Sequence, residues 1–111
     1  MLSHIQRLNV AKFNAVLEKG RVSHSSLFLI RILRGQSDLR VAAVTPKKVS
    51  KTAVGRNYMR RKIYESVRPM LSSMAKNTHI LIFAKPAAVD VKQKDLVEDL
   101  KSLFVKGGLL R

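Results

Sequence analysis

Apolar residues recur every three or four positions at Met59, Ile63, Val67, Met70 and Met74, the period of a helix packing one stripe onto a core. On the same winding Asn57, Arg61, Tyr64 and Arg68 fall on the opposite face, with Arg60 and Lys62 on the flanks. The pattern predicts a helix over residues 54–68 that closes a core on one side and presents cations on the other. Pro69 bends or stops it, and the apolar Met70, Leu71 and Met74 favour continuation beyond the bend.

The remaining elements follow from shorter patterns. Residues 9–19 predict a helix with Val10, Phe13, Val16 and Leu17 as its stripe, Asn9 as N-cap and Gly20 in a left-handed C-terminal position. Leu27 to Arg34 and Arg40 to Thr45 predict two strands joined through Gly35-Gln36-Ser37-Asp38 as an antiparallel hairpin. Pro46 ends the second, because proline cannot donate to a central ladder. His79 to Ala84 is an apolar run of strand length, the pattern of a central strand covered on both faces. From about Lys92 to Val105, Leu96, Val97, Leu100, Leu103 and Phe104 form a last helical stripe, with Asp90, Asp95, Glu98 and Asp99 towards its N-terminal half. The order helix–strand–strand–helix–strand–helix, with room for a short extra strand near Val22, describes one domain of the α+β class, a two-layer α/β sandwich.

Charge changes this picture most. The 111 residues carry 22 Lys+Arg against 7 Asp+Glu, a formal +15. That far exceeds the net charge of about 2–8 that serves solubility in a small domain, and it points to a polyanionic partner. Cysteine is absent, so no disulfide partner and no thiolate metal site is expected. His4, His24 and His79 are too scattered to predict a metal site. The first residues lack the apolar core of a signal peptide, and no segment approaches the ~20 apolar residues of a membrane span. The expectation is a cytoplasmic domain with no membrane partner.

No catalytic constellation accompanies the charge. Ser23, Ser25 and Ser26 flank His24, but no acid lies nearby in sequence to complete a nucleophilic arrangement. Four of the seven acids, Asp90, Asp95, Glu98 and Asp99, fall in or just before the last helix, where they suit its polar face. Binding chemistry is dense instead: Lys47, Lys48, Lys51, Arg56, Arg60, Arg61 and Lys62 stand within sixteen positions. Arginine forks suit phosphate oxygens bidentately and lysines supply point charge along a backbone. Were about six of these to neutralise phosphates, log affinity would fall with log salt at a slope of roughly −4 to −5. Tyr58 and Tyr64, interleaved among the arginines, can stack on bases or pack inward.

At this helix the chain resembles the protein subunit of bacterial ribonuclease P. Ala53-Val54-Gly55-Arg56-Asn57-Tyr58-Met59-Arg60-Arg61 is similar to that family's Arg-Asn-Arg signature, and Arg40 to Val49 to the strand and basic loop before it. Further matches are Phe13 with Leu17, Gly20-Arg21, Ile80 to Pro86 and Leu103-Phe104, so the resemblance spans about 8–109. Tyr58 stands where the signature has its second Arg, Tyr64 where a further Arg is common, Arg31 where a strand aromatic is frequent, and Leu17 where the first helix often carries a second Phe. The resemblance implies a ribonucleoprotein endonuclease that removes the 5′ leader from precursor tRNA, the RNA subunit doing the chemistry with magnesium and the protein holding no cofactor. It implies that Lys47, Lys48, Lys51, Arg56, Asn57, Arg60, Arg61 and Arg68 face the ribonuclease P RNA and the adjoining substrate. Phe13 and Leu17 would line a cleft for the single-stranded leader. The implied fold is like the second domain of a small-subunit ribosomal protein, with a left-handed βαβ crossover through the basic helix. The alternatives are a structural RNA-binding protein, such as a ribosomal protein or RNA chaperone, a helix-in-groove DNA binder, and a protein-only nuclease.

Overall fold

The computed structural model describes residues 8–110. His4 and the amino-terminal stretch read above for a signal segment lie outside them. The elements are α1 (Val10–Lys19), β1 (Arg21–His24), β2 (Phe28–Arg34), β3 (Arg40–Val44), α2 (Ala53–Val67), β4 (Thr78–Ala84) and α3 (Gln93–Lys106). The short strand anticipated near Val22 is β1. Beyond α2 the chain tightens into a 3-10 segment over Arg68–Ser73, with Pro69 in its first turn, so the apolar stripe does continue past the proline.

One four-stranded sheet runs in the order β1-β2-β4-β3. β4 pairs antiparallel with β2 and parallel with β3, with Ile30 opposite Ile82 and Ala43 opposite Ile82 on its other side. The expected β2–β3 hairpin is therefore wrong. The strand buried along almost its whole length, THILIFA, takes the centre and separates the two. A central position buries its apolar side chains on both faces and pairs both of its edges, which a lone hairpin neighbour could not do.

Alternate side chains of the sheet serve two faces. Phe28, Ile30, Ile32, Val41, Ala43, Ile80 and Ile82 join Met59, Ile63, Val67, Leu96, Leu100 and Phe104 in the main core under α2 and α3. The other face places Ala42 and Leu81 against Val16 of α1, with Phe13, Leu33 and Phe83 packed around them. Asn9 caps α1, its Oδ1 accepting from the Lys12 N–H at 2.9 Å. Gly20 is not left-handed as expected; it is extended, with φ −70° and ψ 142°. Its glycine is required by close approach, because a Cβ there would lie 2.5 Å from the Val16 carbonyl oxygen and 3.3 Å from Arg31 Cβ.

Candidate nucleic-acid interface

The basic loop and α2 form one folded unit. Thr52 caps the helix, its Oγ1 accepting from the Gly55 N–H at 3.0 Å. The loop turns back on itself through Val49 and Ser50 N–H groups donating to the Pro46 carbonyl. Arg56 then clasps it, its Nη1 donating to the Ser50 carbonyl at 3.1 Å. Gly55 lets the Ser50 and Thr52 hydroxyls sit close to the helix start, where a Cβ would crowd both. Lys47, Lys48 and Lys51 are left exposed on a loop fixed at both ends.

Along α2 the cations divide by what they touch. Arg60 donates to the Asn57 side-chain carbonyl, so the two act as one donor array on the solvent side. Arg61 is exposed, as is Arg68 at the start of the 3-10 segment. Twelve residues at 1.5 Å per residue put Arg68 about 18 Å along the axis from Arg56. The predicted RNA-facing residues thus form a ridge rather than a pocket. Lys62 leaves this ridge: its Nζ donates to the Val91 carbonyl at 2.8 Å, on the side facing the approach to α3.

The two tyrosines separate. Tyr58 is 60% exposed, with the Lys62 ammonium 5.5 Å from its ring centroid. Tyr64, expected on the outer face, is 7% exposed and belongs to the main core. Its hydroxyl accepts from the Ala43 N–H of edge strand β3 at 3.0 Å. The helix rolls its boundary residue inward because a ring with a polar tip can fill the core and still satisfy a strand donor.

A groove of about 360 Å³ opens where α1 stops short of covering the sheet. Leu17, Leu29 and Phe83 supply its apolar surface, and Arg31, Lys48 and Lys85 its charge, with no acidic residue among its lining. Of the expected leader pair, Leu17 lines the groove while Phe13 is half-buried beneath α1 in the small second core. Arg31, the sequence departure on β2, donates from Nη1 to the Leu17 carbonyl at 3.1 Å and so closes the C-terminus of α1. Lys48 belongs both to the groove and to the basic loop, joining the two surfaces.

A profile of the ribonuclease P family matches residues 5–107. The chain belongs to that family. Among its relatives, the ribonuclease P protein component of an Exiguobacterium species is 34% identical over 84% of this chain and 81% of its own length. That of Microcystis aeruginosa is 32% identical over 98% of this chain and 96% of its own. The fold is similar to the Staphylococcus aureus RNase P protein, with TM-score 0.83 and 20% identity over 96% of this chain and 98% of that one. It is also similar to the RNase P protein of Thermotoga maritima, with TM-score 0.80 and 20% identity over 90% of this chain and 96% of that one.

Several residues of this ribonuclease P fold escaped the sequence pattern. Leu29, Phe83 and Lys85 line the groove but read in sequence as ordinary strand and strand-end residues. Their alternation out of the main core was the available signal: Leu29 and Phe83 are paired across β2 and β4 and share the α1 face. The serine cluster also acquires an acid that sequence distance hid. Ser25 Oγ donates to Asp99 Oδ2 at 2.5 Å and accepts from the Phe28 N–H at 3.1 Å. That hydroxyl braces the β1–β2 turn against α3. Among the described residues no group of three or more metal-ligating side chains gathers, and no helix is long and apolar enough to cross a membrane.

Proposed function

We propose that this chain is the protein component of ribonuclease P, assisting a catalytic RNA in endonucleolytic removal of the 5′ leader from precursor tRNA. The observation that carries this reading is the junction at Lys48 of an acid-free groove with an apolar surface and a basic loop and helix. A generic RNA binder needs only the charge. A groove lined by Leu17, Leu29 and Phe83 suits the faces of unpaired bases, and Arg31, Lys48 and Lys85 suit the phosphates between them. The ridge from Lys47 and Lys51 through Arg56, Asn57, Arg60 and Arg61 to Arg68 suits the backbone of a structured RNA subunit.

The protein's contribution is positional and electrostatic. Holding the leader strand beside the RNA subunit turns an encounter of two polyanions into a bound geometry, and the fixed cations offset their mutual repulsion. Phosphodiester hydrolysis is assigned to the RNA subunit, and magnesium supplies that RNA with its metal-ion chemistry. The groove itself offers Leu, Phe, Pro, Ala, Lys and Arg side chains, a set suited to holding a strand. The site of action is the cytoplasm, where precursor tRNA is made.

Reconstitution tests the reading. Adding the protein to bacterial ribonuclease P RNA at low magnesium should stimulate cleavage of precursor tRNA, and failure to stimulate would overturn the assignment. Tight RNA binding without stimulation would mark a structural RNA-binding protein. Cleavage with no RNA added would mark a protein-only nuclease.

A further inference from the structure

A second depression, of about 440 Å³, lies at the corner where the C-termini of α1 and α3 meet the free edge of the sheet. Lys19, Arg21, Arg34 and Lys106 line it and no acidic residue does. Among the described residues none of these four cations is in an ion pair. Arg34 is fixed in place, its Nη2 donating to the Gly107 carbonyl at 2.8 Å and leaving other guanidinium donors unspent. Four like charges around one hollow repel each other, and the group that relieves this is a polyanion.

The corner and the groove flank the C-terminal turn of α1, which packs on Arg31 between them. Arg31 lines the groove and its register partner on β1, Val22, lines the corner. Leu29 and Leu33 of the same strand sit one in each, about 13 Å apart at the usual strand rise. Val22 is 49% exposed, so the edge of β1 beside that turn is accessible. We propose that the corner holds backbone phosphates of the upstream part of the leader, prolonging the single-strand track past the edge of β1. This rests on the leader-binding reading above. Single-stranded RNA is the occupant because a groove with an apolar surface lies within a few residues of the corner along β2, and the corner itself carries cations and no aromatic ring. Such a site engages length and charge, not sequence.

The test is equilibrium binding of the complex reconstituted with bacterial ribonuclease P RNA to precursor tRNAs carrying successively longer leaders. The double variant Arg21→Ala/Lys106→Ala is compared with the wild type and with the charge-keeping Arg21→Lys/Lys106→Arg. Arg34 is spared because it holds Gly107. For short leaders all three proteins should bind alike. For long leaders the alanine variant should lose roughly three- to tenfold in affinity, its salt slope becoming shallower by about 1.4 for two phosphate contacts to a single strand. The charge-keeping variant should recover both. Equal binding of alanine variant and wild type at every length would overturn the proposal, as would an equal loss at every length. So would a loss of affinity for the RNA subunit alone, which would place that RNA at the corner. If the wild type itself gains nothing from any leader, the leader-binding reading falls first and this inference with it.

Discussion

Tyr64 and Ala43 are joined by a buried hydrogen bond, the hydroxyl accepting from the strand N–H at 3.0 Å. It ties α2, which carries the cationic ridge, to the edge strand of the sheet that floors the groove. Tyr64→Phe keeps the ring but orphans a donor that is shielded from water. The expected cost is about 1–3 kcal/mol of folding stability, measured as a shift in urea midpoint with unchanged slope. Tyr64→Arg should cost more, because it puts an unpaired charge into the core.

Arg60 and Arg61 should behave alike in salt and differently in structure. Each alanine substitution should weaken affinity for the RNA subunit and make the salt slope shallower by about 0.9, the increment for a single neutralised phosphate on a duplex. Arg60→Ala also frees Asn57 from its partner, so its loss of affinity should be the larger. Titrations at several salt concentrations check both statements.

Leu17 is the cleaner probe of the groove. It is 37% exposed and lines the groove, whereas Phe13 packs with Val16, Ala42 and Leu81. Leu17→Ala should reduce affinity for precursor tRNA and leave that for mature tRNA unchanged, with stability altered by less than about 1 kcal/mol. Phe13→Ala should instead destabilise the domain, by about 1–2 kcal/mol, below the ~3–5 of a fully buried Phe. Equal losses for precursor and mature tRNA with Leu17→Ala would remove the groove from leader binding.

Tyr58 stands exposed on the helix that carries the cationic ridge. Base stacking on an aromatic ring is worth about 1–3 kcal/mol, so Tyr58→Ala should weaken RNA-subunit binding within that range, while Tyr58→Phe should not. Because a ring releases no counterion, Tyr58→Ala should leave the salt slope unchanged. A slope change would show that the position works through its neighbour Lys62.

Asp38 gives the domain an acid-sensitive contact. His79 Nε2 lies 2.9 Å from its Oδ1, and Arg40 Nε donates to its Oδ2 at 2.8 Å. The histidine hydrogen bond, with Arg40 adding to it, holds the carboxyl below the ordinary aspartate value of 3.8. A depressed folded pKa stabilises fully above the unfolded value and is lost as pH falls through the folded one. Wild-type stability should therefore decline below about pH 4, with a shallower decline for Asp38→Asn, as followed by thermal unfolding across that range.

Much of the cationic surface could be read directly from the chain. The basic loop, the Arg56-Asn57 helix and its Met59, Ile63, Val67 stripe are contiguous in sequence, and one helical period sorts them into faces. In the groove, Leu17 lies among the lining, while Phe13 sits one turn away, half-buried against Val16, Ala42 and Leu81. Leu29, Phe83 and Lys85 come from strands far apart in sequence, and only pairing across β2 and β4 brings them together. Tyr64 was misplaced because it sits at the boundary between faces, where a wheel cannot tell a ring that points out from one that bends in.

The sequence by itself determined the helices, the strands and the cationic character. These depend on local period and composition, which act within a few turns or a few strand residues. Tertiary structure alone decided that β4 lies between β2 and β3, that Asp99 braces Ser25, and that Asp38 meets His79. Those contacts join residues tens of positions apart, and their partners are chosen by which arrangement buries the most apolar strand on both faces and leaves its polar groups paired. The ridge followed from the one kind of information; the groove beside it, and the corner beyond, followed from the other.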